Sequence, residues 1–345
     1  LFNSWKGKNI LLFLYNRKFN QNVTGDGESG PNCFNIRVNK YTVEKRGKIM
    51  KQLKRRGLPF VAIIATVLFW GLSYISTKSL LETMTPFQIA ACRYGLTVII
   101  LLGIGFGMRW LKPLPFRELP RLMLAAFIGI GVYFVCENSG LKLTTAGMGS
   151  LIIATIPVIN TIVTAFWMKK PTSSMVWVGV LLSVAGVFII LQGGADFSFQ
   201  SLWGNLLVLG AAFSWVAYTL LNQPLSRAYD VFSLNAYQAV FGAIFLIILA
   251  WMEGVDMPRF TPGIAVNLVF LAFCCSALGY FFYNYALRHL GSTVVTTFIN
   301  FIPVVGVLGG VFILGESLGI SQIVGGVIIL TGVFLVSMGE SRVTA

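Results

Sequence analysis

The sequence predicts an all-α integral membrane protein with ten transmembrane helices, arranged as two inverted-topology repeats of five helices. Three observations carry this expectation. Of 345 residues, 56% are hydrophobic and 11% charged, which overrides the two or three soluble domains that such a length would otherwise suggest. Ten apolar segments of about 17 to 25 residues can be drawn, each long enough to cross ~30 Å of hydrocarbon as a helix. Finally, the text of residues 284–336 nearly repeats what stands 146 residues earlier.

Residues 1–49 mix Asn, Lys and Gly with one short apolar run and have no counterpart in the second half. They are expected to be a disordered tail or an extension foreign to the native chain, with Met50 as the natural start. Lys51, Lys54, Arg55 and Arg56 then precede the first apolar run. No small-residue cleavage site follows, so this run is a retained helix. The first repeat, residues 50–192, is assigned spans at Leu58–Thr77, Phe87–Met108, Leu119–Ser139, Ala146–Met168 and Met175–Leu191. The second, residues 202–338, is assigned Leu202–Leu221, Val231–Met252, Gly263–Leu287, Val294–Leu314 and Ile320–Met338. Long, continuous, non-alternating apolar runs indicate helices rather than barrel strands.

At the fixed offset Asn138 falls on Asn284, Ile156-Pro157-Val158 on Ile302-Pro303-Val304, and Gly186-Val187-Phe188 on Gly332-Val333-Phe334. A period this long fits a duplicated membrane domain, not a solenoid. Placing the N-terminus in the cytoplasm puts fourteen Lys and Arg from Lys48 onward on the inner side and three, Lys78, Lys142 and Arg259, outside. Both termini are therefore expected in the cytoplasm. Five spans per half, an odd number, then set the halves upside down relative to each other. Two such halves can exchange shapes and open the centre to alternate sides.

The net charge of +14 is explained by this topology, so no nucleic-acid partner is expected. Cys92, Cys136, Cys274 and Cys275 lie in three spans without ligand-like spacing and read as buried structural thiols. No metal-spaced cluster and no paired nucleophile and base is present, so no enzymatic activity and no cofactor is expected.

Candidate site residues follow from chemistry that hydrocarbon penalises. Arg93 and Glu137 both lie toward the outer leaflet and are read as a gate or ion pair, against snorkelling for Arg93 and a helix-end marker for Glu137. Trp70, Ser73 and Tyr74 of the first span and Ser214, Trp215, Tyr218 and Asn222 of the sixth could line a central cavity. Of these, Trp70, Tyr74, Trp215, Tyr218 and Asn222 are the substrate-binding candidates, Trp215, Tyr218 and Asn222 sharing one helical face; ordinary packing or an interfacial belt is the alternative. Pro157 and Pro303 break corresponding helices and are read as hinges or as static kinks. Asn160, Asn284 and Asn300 are read as helix-to-helix bonds. Gly103-x-x-x-Gly107 and Gly306-x-x-x-Gly310 suit close packing. His289 is placed in a solvated loop and Glu316 as a helix cap.

Several of these residues also stand in a recognisable order. Phe69-Trp70-Gly71-Leu72-Ser73-Tyr74 with Lys78, Arg93 in Ala91-Cys92-Arg93-Tyr94, the two Ile-Pro-Val elements, Leu314-Gly315-Glu316, Gly325-Gly326 and Gly332-Val333 span residues 58–338. This pattern resembles the drug/metabolite transporter superfamily in its ten-helix form built from two EamA-type domains. Lys170 departs from it, standing where the first half would carry the counterpart of Glu316. The resemblance implies a secondary transporter of small polar metabolites, often an exporter, without an ATP site; no Gly-x-x-x-x-Gly-Lys-Ser/Thr loop is present.

The expected function is thus alternating-access transport, with export of amino acids or related compounds. Cationic drug-like or sugar-like solutes are the alternative, and a lipid-handling scaffold or flippase is the alternative of another class. The expected setting is the cell inner (cytoplasmic) membrane, multi-pass, with a small-molecule substrate and the lipid bilayer as partners, as a monomer or homodimer. A cysteine placed beside Lys112 is expected to resist an impermeant thiol reagent in intact cells; ready labelling would reverse the orientation.

Overall fold

The computed structural model describes residues 57–167, 173–191, 198–290, 295 and 298–343. The tail 1–49, Lys170 and the basic residues Lys51, Lys54, Arg55 and Arg56 before the first span lie outside them. Every regular element among the described residues is helical. Eight helices are long and apolar enough to cross a membrane: α1 Gly57–Leu80, α2 Pro86–Gly107, α3 Phe116–Leu143, α4 Ala146–Phe166, α6 Phe199–Ser226, α7 Val231–Glu253, α8 Pro262–Leu290 and α10 Ile320–Gly339. Two shorter apolar helices, α5 Ser174–Ile190 and α9 Ile302–Leu314, complete the set.

The expected ninth span began at Val294; Val295, Phe298 and Ile299 are helical, and a turn at Asn300 and Phe301 then separates them from α9, which begins at Ile302. Hydropathy does not register this break, because the turn residues are flanked by Ile299 and Ile302. Its thirteen residues reach about 20 Å, short of a full crossing.

Helix ends are written in the sequence. Thr85 and Thr261 each precede a proline and accept a hydrogen bond from the amide three residues on, Gln88 and Ile264. Proline suits that first position because its amide would have no helical partner. Thr145, Ser198 and Asp230 cap α4, α6 and α7 in the same way, as expected of short oxygen-bearing side chains. Gly315, at φ 69°, closes α9 in the left-handed region that glycine enters without penalty.

That turn aims Glu316 back across the protein. Its Oε1 accepts from the Ala146 amide at 2.6 Å and its Oε2 from the Gly147 amide at 3.0 Å. A carboxylate there satisfies two first-turn amides of α4 and meets the positive end of its dipole. Glu316 is thus a cap, supplied by the opposite half of the chain.

Helices pack in antiparallel pairs, α5 with α10, α3 with α6, and α2 with α7. The α5–α10 contact is backbone on backbone. A Cβ at Gly179 would meet Gly332 O at 2.6 Å, and one at Gly325 would meet Gly186 O at 2.8 Å. Between them Ser183 Oγ reaches Ile329 O at 3.5 Å. Gly306 packs against Ser150, as its spacing predicts, whereas Gly103 and Gly107 face open space and mediate no close approach.

Gly179→Leu is expected to destabilise the protein by about 1–3 kcal/mol through overpacking against backbone, and Gly103→Leu by much less. Thermal unfolding of the two variants in detergent checks this; equal midpoints would show that the α5–α10 contact is not tight.

Candidate functional site

Four local departures from the α-helix shape the centre of the bundle. In α4 the chain turns at Ala154 and Thr155, dividing Ala146–Ile153 from Ile156–Trp167. The turn before α9 falls on Asn300 and Phe301, the positions 146 residues later. Pro157 and Pro303 are the second residues of the segments that follow. They therefore open new segments rather than bend continuous ones. A proline cannot donate to the carbonyl four residues back, so Ile153 and Ile299 lose their helical donors. Thr155 Oγ1 supports the first turn by bonding to Ile152 O at 2.6 Å.

The other two departures are π-helical segments, Phe127–Val132 in α3 and Phe270–Leu278 in α8. They too overlap at the 146-residue offset. Wide turns displace carbonyls from the regular ladder, and side chains of neighbouring helices supply donors. Ser214 Oγ donates to Ile128 O at 2.7 Å and Trp70 Nε1 to Cys275 O at 3.0 Å. Thr97 and Thr66 reach Ala272 O and Gly279 O, both at 3.4 Å.

At the two helix breaks lies a cavity of about 140 Å³. From α1 it receives Trp70, Ser73 and Tyr74; from α2, Arg93; from α3, Tyr133, Phe134 and Glu137. Ile153, Ala154, Ile156 and Pro157 bring the α4 break to it, and Ile299, Asn300, Ile302 and Pro303 the α9 break. Ser150, Trp215 and Tyr280 complete the wall. Rings dominate one side, with Trp215 5.2 Å from Tyr133 and Trp70 5.4 Å from Tyr280, centroid to centroid.

Arg93 and Glu137 are the charged members of this described lining, 5% and 6% exposed. They are not joined by an ion pair among the described residues. Arg93 Nε donates to Ser276 Oγ at 2.9 Å, and its guanidinium carbon lies 4.4 Å from the Phe134 ring centroid. Glu137 Oε1 accepts from the Tyr133 hydroxyl at 2.7 Å. The pairing expected from sequence is thus replaced by two charges on one cavity, each with its own neighbours. Arg93 does not snorkel, since it is buried against Ser276 and Phe134, and Glu137 is buried within its helix rather than marking an exposed end.

The shared face expected on α6 divides. Trp215 lines the main cavity, whereas Tyr218 lines a smaller one of about 30 Å³, with Asn235, Gln238, Ser276 and Tyr280. Asn222 lies behind Tyr218. The three polar groups close a ring: Tyr218 hydroxyl to Gln238 Oε1 at 3.1 Å, Gln238 Nε2 to Asn222 Oδ1 at 2.8 Å, and Asn222 Nδ2 to the Tyr218 oxygen at 3.1 Å. Tyr280 borders both cavities.

Comparison with known proteins decides the family. The sequence pattern of the EamA-like transporter family matches twice, over residues 58–192 and 202–338. The chain belongs to the EamA-like transporter family. Among curated relatives of this EamA-like protein, an uncharacterized transporter of Archaeoglobus fulgidus is 31% identical, covering 80% of this chain and 96% of its own. The uncharacterized transporter YyaM of Bacillus subtilis (strain 168) is 24% identical over 81% and 93%. A solved structure 17% identical shares the fold, with a TM-score of 0.56 over 82% of this chain and 98% of its own.

The two EamA-like matches feed the cavity in register. Ile153 and Ile299, Ala154 and Asn300, Ile156 and Ile302, Pro157 and Pro303, and Phe134 and Tyr280 are corresponding positions, and all line it. The charges are not duplicated: Glu137 corresponds to Tyr283, and residues 231–252 of α7, the counterpart of α2, contain no Asp, Glu, Lys or Arg. Sequence reasoning missed Tyr133, Phe134 and Tyr280. Their signal was present, since Tyr133 and Phe134 precede Glu137 by four and three residues and share its helical face. Asn300 does bond across helices, to Ser337 Oγ at 3.2 Å, but Asn284 turns onto its own helix at Tyr280 O, 2.9 Å. His289 lies in the last turn of α8, not in a loop.

Tyr218→Phe removes one donor of the closed ring and leaves a buried amide oxygen unpaired, at an expected cost of about 1–3 kcal/mol. Thermal unfolding of the purified variant checks this; an unchanged midpoint would mean that the ring contributes no stability.

Proposed function

We propose that this EamA-like protein is a secondary transporter that moves small metabolites by alternating access, and that it exports amino acids or related compounds. In this reading all ten helices act as spans, in two five-helix halves of opposite orientation in the cell inner membrane, with both termini cytoplasmic.

The observation that carries the reading is the central cavity lined by corresponding positions of the two halves at two corresponding helix breaks. Broken helices that meet at the seam of a duplicated membrane domain place polar backbone where a solute can use it, and provide joints about which half-helices can swing. The opposite orientation draws support from α5 and α10. These corresponding helices run antiparallel, and the approach of Gly179 to Gly332 becomes that of Gly325 to Gly186 when the halves are exchanged. A pseudo-two-fold axis between two antiparallel helices lies across them, hence in the membrane plane. An exchange of shape between the halves would then open the cavity to the other side.

The lining favours a solute with both polar and apolar parts. Aromatic faces from Trp70, Trp215 and Tyr280 can hold an apolar side chain, while Arg93, Glu137, Ser73 and Asn300 offer polar groups. Drug-like cations and sugar-like solutes remain competitors in the assay, and lipid movement is its outcome of another class.

Proteoliposomes containing the full chain are expected to show saturable counterflow of labelled amino acids in preference to sugars and organic cations. Trp215→Ala is expected to lower that flux at least about tenfold, the scale of losing one buried aromatic contact, at unchanged expression. Counterflow limited to sugars or cations would replace the substrate class. Lipid scrambling without solute exchange would replace the carrier.

A further inference from the structure

We propose that Arg93 is the receptor for a carboxylate on the transported solute and Glu137 the receptor for an ammonium on the same molecule, with Ser276 as the residue that aims Arg93. The proposal rests on the carrier reading and deepens it by assigning the recognition chemistry to named atoms.

The guanidinium is held on two sides. One face lies against Phe134, and the Nε edge donates to Ser276 Oγ. The two terminal nitrogens have no hydrogen-bonded acceptor and no carboxylate within ion-pair reach among the described residues, and neither is a sealed, unpaired atom. Arg93 lines the cavity, and in this assignment those nitrogens face it. A cation 5% exposed, inside a membrane span and, among the described residues, with no carboxylate in direct contact, is costly until an anion arrives. The edge left free presents two parallel N–H donors, the geometry that a planar carboxylate accepts in bidentate fashion.

Glu137 poses the converse requirement on the same wall. It is met by the hydroxyls of Tyr133 and Tyr74 and, among the described residues, by no cation within ion-pair reach. The described lining holds one basic and one acidic side chain, Arg93 and Glu137. A zwitterion completes both pairs and leaves no charge over. A phosphate dianion would bring a second negative charge against Glu137 with no second cation to meet it, which disfavours it. The rings of Trp70, Trp215 and Tyr280 on the same cavity suit the solute's apolar part.

Ser276 lies in the π-helical segment of α8, in the second EamA-like match, whereas Arg93 belongs to the first. The direction of the guanidinium is therefore set across the seam between the halves. Ser276 is a positioning residue, since it reaches the solute only through Arg93.

The test is direct binding, separate from flux. Purified full chain is titrated with L-phenylalanine, L-phenylalaninamide, phenethylamine and 3-phenylpropanoate, following tryptophan fluorescence, to which Trp70 and Trp215 in the wall contribute. The amino acid is expected to bind about 10- to 100-fold tighter than its amide, as for one buried charged hydrogen-bond pair. Arg93→Gln should abolish that ratio, Arg93→Lys restore part of it, and Ser276→Ala reduce it with the charge intact. Glu137→Gln should instead abolish the preference of the amino acid over 3-phenylpropanoate. Equal binding of acid and amide, no binding of the amino acid, or a folded Arg93→Gln protein that keeps the ratio would each overturn the assignment. Should the binding pattern appear without counterflow, the carrier reading falls and this one stands.

Discussion

A backbone carbonyl inside hydrocarbon has no water to turn to, and the centre of this protein is organised by where such groups are released and what answers them. Most of the chain avoids the problem by forming uninterrupted helices. Four places do not: the turns in α4 and before α9, and the π-helical segments of α3 and α8. Each is stable only because a neighbour supplies a donor or because the freed group faces a cavity. Trp70 illustrates the economy of the arrangement. Its indole N–H satisfies Cys275 O while its ring forms part of the cavity wall.

The same constraint governs the charges. A carboxylate in this bundle must find donors, and Glu316 finds two amides at the start of α4, joining the end of one half to the middle of the other. Arg93 and Glu137 are held differently, each by neutral neighbours and an aromatic ring or hydroxyl. That difference separates a charge completed by the fold from charges that the fold leaves open to a cavity. Duplication explains the symmetric part of the wall, the paired breaks and the Phe134 and Tyr280 positions. The absence of a charge in α7 to match Arg93, and the replacement of Glu137 by Tyr283, make the wall chemically one-sided.

Much of this was legible beforehand. Continuous apolar runs located the helices because burial in lipid asks only for length and hydrophobicity. Hydropathy alone started two spans at Phe87 and Gly263, although Thr85-Pro86 and Thr261-Pro262 carry the local capping chemistry that sets those ends. Pro157 and Pro303 pointed to the breaks because a missing amide is written in one residue. Trp70, Tyr74, Arg93, Glu137 and Trp215 were singled out and line the cavity, whereas Tyr218 and Asn222 were singled out on the same grounds and do not. Their helical face was read correctly, but the face is wide enough to serve two cavities, and Gln238 of α7 captured the polar end of it.

By itself the sequence determined the helical class, the duplication, the helix boundaries set by local caps, and which residues hydrocarbon would penalise. Tertiary structure decided the rest. Whether Arg93 meets Glu137 or Ser276, whether α3 and α8 widen into π-helical turns, and whether Gly179 or Gly103 carries a close contact all depend on atoms far away in the chain. The physical reason is one of range: capping and hydropathy are settled within a few residues, whereas a hydrogen bond or a close approach is settled by whichever helix arrives alongside.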